Sequence, residues 1–196
     1  VYKRQEIITT SVTNLDIHDI ARSARTYGLK QYFIVTPVKK QHALVQNILN
    51  HWNTDVENSY NPDRTSALSF IELADSIEVA IESIKQKEGI DPYIVVTGAN
   101  FEEFSGTEDD LRTKLKLDNR PIFLLFGTGW GLHASVTDHA DFKLDPIVGA
   151  ANDGYNHLSV RSAVAIYLDR ICRSPVSYTH LRAHETDSYL VCRLLL

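Results

Sequence analysis

Helical and strand periodicities alternate along this chain, two unbroken apolar runs lie in its second half, and each run ends in a small-residue loop. These observations predict an α/β domain with a mostly parallel sheet flanked by helices, since strands covered on both faces read as continuous apolar stretches. Residues 14–28 open on an N-cap type residue, carry acids in the first turn and close on Gly28. Ile17, Ile20, Ala21 and Ala24 fall at helical spacing there. Residues 31–36 form a short apolar strand stopped by Pro37, 41–52 read as helix, and 58–64, with Asn61-Pro62, as a polar loop. Residues 67–73 read as a strand. Residues 75–87 form an amphipathic helix with Ile77, Ala80, Ile81 and Ile84 on one face, ended by Gly89. The two apolar runs are 93–97 and 122–126, and between them 108–117 reads as a helix capped at Thr107. A short strand at 141–144 follows. The final helix, 157–172, has Val160, Ala163, Val164, Ile166, Tyr167 and Ile171 on two apolar flanks, both expected to be buried. There are no repeats and no linker, so one domain is expected.

The 196 residues are 43% hydrophobic and 23% charged, which suffices for a sizeable core without disulfides. Two distant cysteines exclude a disulfide-stapled mini-protein, and no apolar run is long enough to span a bilayer, so no membrane partner is expected. Both ends look foreign. Val1-Tyr2-Lys3-Arg4-Gln5 and residues 175–196 resemble the translation of a transposase-type sequencing adapter, so 1–5 and 175–196 are set outside fold reasoning and expected to have no settled structure against the core. The remaining segment, 6–174, holds 16 Lys and Arg against 23 Asp and Glu, a formal charge of −7 where the whole chain carries −5. It contains no Met, so a piece of the protein is expected to be missing at its start. A lone Cys172 favours the cytoplasm.

Three loops are candidates for chemistry. Thr97-Gly98-Ala99 follows the first apolar run and Gly127-Thr128-Gly129-Trp130-Gly131-Leu132 follows the second. In open α/β sheets ligands bind beyond the carboxyl ends of strands, where glycine lets backbone come close, so one pocket is expected at both loops. The third, 145–159, is polar, glycine-bearing and long for a structureless connector. The glycine loop has spacing G-x-G-x-G instead of the dinucleotide fingerprint and lacks a crossover helix behind it, which disfavours a nicotinamide-dependent oxidoreductase. Neither a Walker motif nor a nucleophile elbow is present. His18, His133, His139 and His157 have no companions at metal-ligand spacing, so no metal is expected.

In three ordered blocks the chain resembles the SPOUT class of S-adenosylmethionine-dependent RNA methyltransferases. Asn14 to Arg22 resembles the class's first motif, an N-x(n)-I-x-R helix, and residues 123–132 the second, a strand running into a glycine loop. Pro146-Ile147 with Asn156-His157-Leu158-Ser159-Val160-Arg161-Ser162-Ala163 is similar to the third, a helix start. Within the class the chain is most similar to a small bacterial group named for tRNA guanine-N1 methyltransferases. The resemblance implies a C-terminal deep trefoil knot, a homodimer, and a first central strand that is not found ahead of Glu6-Ile7-Ile8.

What the resemblance implies for the site is specific. S-adenosylmethionine would be held by Thr97, Gly98 and Ala99, by Gly127, Thr128, Gly129, Gly131 and Leu132, and by Pro146, Ile147, Asn156, His157, Leu158 and Ser159. Backbone groups would read the adenine, with Ile147 and Leu158 flanking the ring. Arg22 matches the motif arginine near the acceptor and would orient a phosphate or assist deprotonation; the alternative is a surface arginine pairing with Asp16 or Asp19. Asn14, Arg22, Arg25 and Arg161 are candidate RNA contacts, with Asn14 also readable as an N-cap and Asn156 and Ser159 as helix caps. An acidic chain is an awkward RNA binder, so cationic patches or a partner protein would be needed to dock tRNA or rRNA. The other function kept open is a non-catalytic cofactor-binding or regulatory module of the same fold.

Overall fold

The computed structural model describes residues 10–54, 61–129, 131–173 and 190–195. The tail readings at 1–5 and 175–189, the Glu6-Ile7-Ile8 start and Trp130 lie outside the described residues. In chain order the elements are α1 (Asn14–Thr26), β1 (Gln31–Val35), α2 (Lys39–Trp52), α3 (Pro62–Leu68), β2 (Ile71–Ala74), α4 (Ile77–Glu88) and β3 (Tyr93–Val96). They continue with α5 (Glu108–Leu115), β4 (Ile122–Phe126), α6 (Ala134–Thr137), β5 (Phe142–Lys143), α7 (Val160–Cys172) and β6 (Leu190–Leu195). The six strands form one sheet in the order β2-β1-β6-β4-β3-β5, and each neighbouring pair is parallel.

Both faces of the sheet are covered, as the unbroken apolar runs require. Tyr32 and Ile34 of β1 and Leu124 and Phe126 of β4 point to the face packed by α1 and α7. Ile17, Ile20, Ala21 and Ala24 cover them from α1, and Val164, Tyr167 and Leu168 from α7. The alternate residues Phe33, Val35, Phe123 and Leu125 meet Ala80 and Ile84 of α4 on the other face. Phe33 and Phe123 touch edge to face at 5.9 Å between ring centroids. Each such side chain contributes about 1.5–3 kcal/mol by leaving water, more than an exposed ion pair, so packing holds the helices to the sheet.

Three expected elements are corrected. Residues 62–64 are not loop and 67–68 are not strand; they belong to the seven-residue helix α3. Asn61 caps it by accepting from the Arg64 N–H at 3.1 Å, Pro62 occupies the first turn, and Ala67 and Leu68 are buried on its inner side. The strand that follows starts only at Ile71. The last helix begins at Val160, with Ser159 as its cap. It buries one flank, Val164, Tyr167, Leu168 and Ile171, whereas Val160, Ala163 and Ile166 are half-buried.

The third correction concerns the C-terminal tail. Residues 190–195, expected to stand clear of the core, enter the middle of the sheet. Val191 pairs with both Gln31 and Phe123, and Leu194 with Ile34 and Phe126. The cause is backbone demand: β1 and β4 lie one strand apart, and their facing amides and carbonyls need partners where water does not reach.

One ion pair ties α7 to α1. Arg161 Nη1 donates to Asp16 Oδ1 at 2.6 Å, with Asp19 Oδ2 at 3.6 Å from its Nε, and the Asp16 side chain is 6% exposed. Thr13, the N-cap of α1, donates its hydroxyl to the other Asp16 oxygen at 2.5 Å. Substituting Arg161→Ala leaves that carboxylate buried with the Thr13 hydroxyl as its remaining partner among the described residues. Unfolding free energy is expected to fall by about 2–3 kcal/mol, read as a lower denaturant midpoint at unchanged slope.

Candidate functional site

Neighbours β4, β3 and β5 run parallel, so their carboxyl ends share one rim, and the three glycine-bearing loops all leave from that rim. At the end of β3, Thr97 is buried. Its backbone N–H and its hydroxyl both donate to the Leu125 carbonyl, at 3.1 and 3.0 Å, and so lock the start of the first loop to β4. Gly98 is half-buried and Ala99 exposed beyond it.

The second loop folds back on its own origin. A Cβ on Gly127 would stand 2.6 Å from the Gly131 carbonyl carbon and 2.7 Å from the Leu132 nitrogen, both backbone atoms that cannot turn aside. Gly129 and Gly131 have φ of +60° and +88°, in the left-handed region that favours glycine. The Gly131 N–H donates to the Thr128 carbonyl at 3.1 Å and closes the turn. Thr128 Oγ1 lies 2.5 Å from Thr10 Oγ1, so the segment before α1 rests on this loop. Leu132 tucks against the core face that carries Phe123 and Leu125.

The third loop is fastened at both ends. Tyr167 donates its hydroxyl to the Asp145 carbonyl at 2.8 Å; burial pushes that phenol up to about 12, so it remains a donor through the neutral range. Pro146 and Ile147 are half-buried. Asn156 clamps the middle, donating to the Ile147 carbonyl at 2.8 Å and accepting from the Gly149 N–H at 3.0 Å. His157 and Leu158 are exposed, and Ser159 accepts from the Ser162 N–H at 3.2 Å as the cap of α7. Asn156 is therefore the loop's clamp and Ser159 the helix cap, while Thr97, Gly98, Ala99, Gly127, Thr128, Gly129, Gly131, Leu132, Pro146 and Ile147 stand along one rim. Glycine at 127 lets the loop close on its own backbone, and a Cβ on Gly131 would meet nothing within 4 Å, so main chain is open to approach there.

The expected cationic residues separate. Arg161 is occupied by Asp16 and Asp19, so it is a strut between helices. Asn14 is the first residue of α1, and Thr13 does the capping. Arg22 does not take the surface pairing with Asp16 or Asp19, because both carboxylates face Arg161. Together with Arg25 it lines a cleft between α1 and α3, and Arg64 lines the same cleft from α3. Arg64 was hidden by reading 58–64 as loop; the Asn61-Pro62 pair, a cap followed by a first-turn proline, is the signal that could have found it.

A family model described as SAM-dependent RNA methyltransferase matches residues 1–173. Two proteins named tRNA (guanine-N(1)-)-methyltransferase, from Nitratidesulfovibrio vulgaris and Oleidesulfovibrio alaskensis, are each 42% identical over 171 residues, covering 87% of this chain and 39% of theirs. The chain thus spans about two fifths of the length of these curated relatives. An uncharacterized protein of Aquifex aeolicus is 37% identical over 169 residues, 86% of this chain and 82% of that one. Among solved structures, a probable methylase family protein from Haemophilus influenzae superposes with a TM-score of 0.57 at 17% identity, covering 84% of this chain and 62% of its own. A putative methylase family protein from Neisseria gonorrhoeae gives 0.58 at 18%, covering 91% and 85%. These two support the fold.

His18 lines a second, apolar cleft between α1 and α2, edge-on to Trp52 at 5.9 Å, with its Nδ1 buried and unbonded among the described residues. Burial, with Arg64 and Arg22 adding to it, holds its pKa below the usual imidazole value, and Asp19 opposes them. The unfolded chain therefore takes up this proton first as pH falls. Stability is expected to be fully present above pH of about 6.5 and to decline below it, down to the folded pKa. A pH series of denaturant melts should show that slope, and His18→Phe should flatten it.

Proposed function

Because the chain belongs to the SAM-dependent RNA methyltransferase family, we propose that it transfers a methyl group from S-adenosylmethionine to a nucleotide of RNA, with tRNA the first class to test and rRNA the second. The observation that carries this reading is the shared rim: three loops on adjacent parallel strands, one of them folded so tightly at Gly127 that only glycine fits. In the proposed arrangement the C-terminal part is threaded as the trefoil knot of the SPOUT class. The donor lies along Thr97, Gly98 and Ala99, the 127–132 loop and the 146–159 loop. The bound sulfonium supplies an electrophilic methyl group.

The protein's own part is placement. Main-chain groups of the 127–132 loop would give the adenine edge its partners, and Leu132 and Ile147 would give its faces apolar contact. Leu158 stays exposed beside them and would close on the ring once the donor is in place. Tyr167 and Asn156 hold the third loop ready without touching the reacting atoms. Arg22, whose expected acidic neighbours are taken by Arg161, is free to orient the acceptor's phosphate and to stabilise charge that moves off the acceptor. Val148, Tyr155 and Leu158 are 76%, 69% and 44% exposed on the third loop, an apolar edge that a second copy of the chain would cover, which supports a homodimer. Action in the cytoplasm fits the same reading.

Two measurements test it. Calorimetry with S-adenosylmethionine is expected to show one site per chain, and Gly127→Ala to weaken it by about tenfold or more, because the added methyl collides with backbone. A chain that binds no S-adenosylmethionine would sink the reading. Incubation with methyl-labelled donor and bulk tRNA or rRNA is expected to label one RNA class. Arg22→Ala should cut that label by about a hundredfold while donor affinity stays unchanged; an equal rate in the variant would remove Arg22 from the mechanism.

A further inference from the structure

We propose that the α1/α3 cleft is the RNA-docking groove of this protein, with Arg64 as its principal unassigned phosphate ligand beside Arg22 and Arg25. This rests on the RNA methyltransferase reading and adds where the polynucleotide backbone lies. The cleft has a volume of about 460 Å³ and is lined by Arg22, Arg25, Asn61, Asp63, Arg64 and Ser66. Three guanidinium groups against one carboxylate leave it strongly positive in a chain whose formal charge is −5.

The contrast with the other arginines carries the argument. Arg112, Arg120, Arg161, Arg170 and Arg173 are each ion-paired to a carboxylate. No carboxylate among the described residues pairs with Arg22, Arg25 or Arg64. Arg25 and Arg64 are instead held by neutral partners that leave their charge uncancelled. Arg25 donates Nε–H to Ser66 Oγ at 3.1 Å and lies over the Phe70 ring at 5.3 Å, so its remaining donors stay available. Arg64 lies over the Trp52 indole at 4.6 Å, and its own backbone N–H is fixed by Asn61. A guanidinium held over an aromatic ring keeps its charge and its donor fork and loses little further freedom on binding.

A fork of this kind matches phosphate oxygens two at a time. Trp52 and Phe70 each already carry an arginine, so these rings are engaged in holding cations, and the groove reads backbone phosphate in preference to bases. Because the proposed function gives Arg22 the acceptor's phosphate, the strand bearing the target nucleotide would run from Arg22 past Arg25 to Arg64.

The test is bulk tRNA binding by the full chain across a salt series, on wild type, Arg64→Ala, Arg64→Lys and Arg25→Gln, with S-adenosylmethionine calorimetry on the same samples. Loss of one phosphate contact lowers the slope of log K against log salt by about 0.7–0.9. Arg64→Ala and Arg25→Gln are each expected to lower that slope by about this much and to weaken binding by about fivefold to tenfold near physiological salt, with donor affinity unchanged; Arg64→Lys should keep the slope. If wild type binds tRNA and labels it while both neutral variants match its slope, the groove is wrong and the methyltransferase reading stands. If wild type binds donor but no RNA at any salt, both the groove and the RNA substrate fall.

Discussion

The backbone groups of β1 and β4 face each other across a gap one strand wide, and a gap inside a sheet covered on both faces has to be filled by backbone. Six residues, Leu190–Leu195, fill it, hydrogen-bonding to β1 on one side and β4 on the other. Without that ladder the sheet would be a pair, β2-β1, and a triplet, β4-β3-β5, joined only through helices. The triplet carries the glycine rim and the pair lies under α1 and α3, so the relative position of the two candidate sites is set by what occupies the slot. The helices respect the same division. α1 packs its inner face on both halves of the core, and the Asp16–Arg161 pair fixes α7 to it from above.

Rim and cleft solve different chemical problems with different residue types. At the rim, side chains are absent or turned to fastening duties: Thr97 spends its hydrogen bond on a backbone carbonyl of β4, and Tyr167 and Asn156 spend theirs on carbonyls of the third loop. A ligand there meets main-chain groups, whose positions do not depend on rotamers. In the cleft the reverse holds, with three long cationic side chains, two of them oriented by a serine and two aromatic rings. The acidic total charge is therefore a poor guide to what the molecule can hold locally. Outside the cleft, Arg112, Arg120, Arg161, Arg170 and Arg173 are each neutralised by a carboxylate.

Much of this was legible in the sequence because its signals were strong and local. The runs 93–97 and 122–126 are buried strands, α1 and α4 end where their glycines say, and α5 starts at its Thr107 cap but stops at Leu115, two residues short of the 117 its pattern predicts. What escaped was short or non-local. A seven-residue helix offers too few turns for periodicity to show, and Ala67-Leu68 followed by Phe70-Ile71 mimics a strand. Arg161 sits in a motif-like helix start, and nothing in its neighbours reveals that a buried Asp16, 145 residues earlier, claims it. Asn156 and Ser159 were readable as caps or as ligands. The structure makes one a loop clamp and the other a cap. The tail's resemblance to an adapter carries no information on its strand pattern; sheet pairing responds to backbone and hydrophobicity, whatever the origin of the codons.

The Asn156 clamp has a consequence for how the third loop would greet a ligand. One amide side chain joins the Ile147 carbonyl and the Gly149 N–H, closing a ring of about ten residues before any molecule arrives. Closing a flexible segment of that size costs chain entropy of order (3/2)RT ln n, roughly 2 kcal/mol. That disorder has already been lost in the free protein, so association at the rim would not have to remove it again. The heat released on binding would then report contacts more than loop ordering, and a carboxylate at position 156, unable to donate to the Ile147 carbonyl, would shift that balance toward entropy.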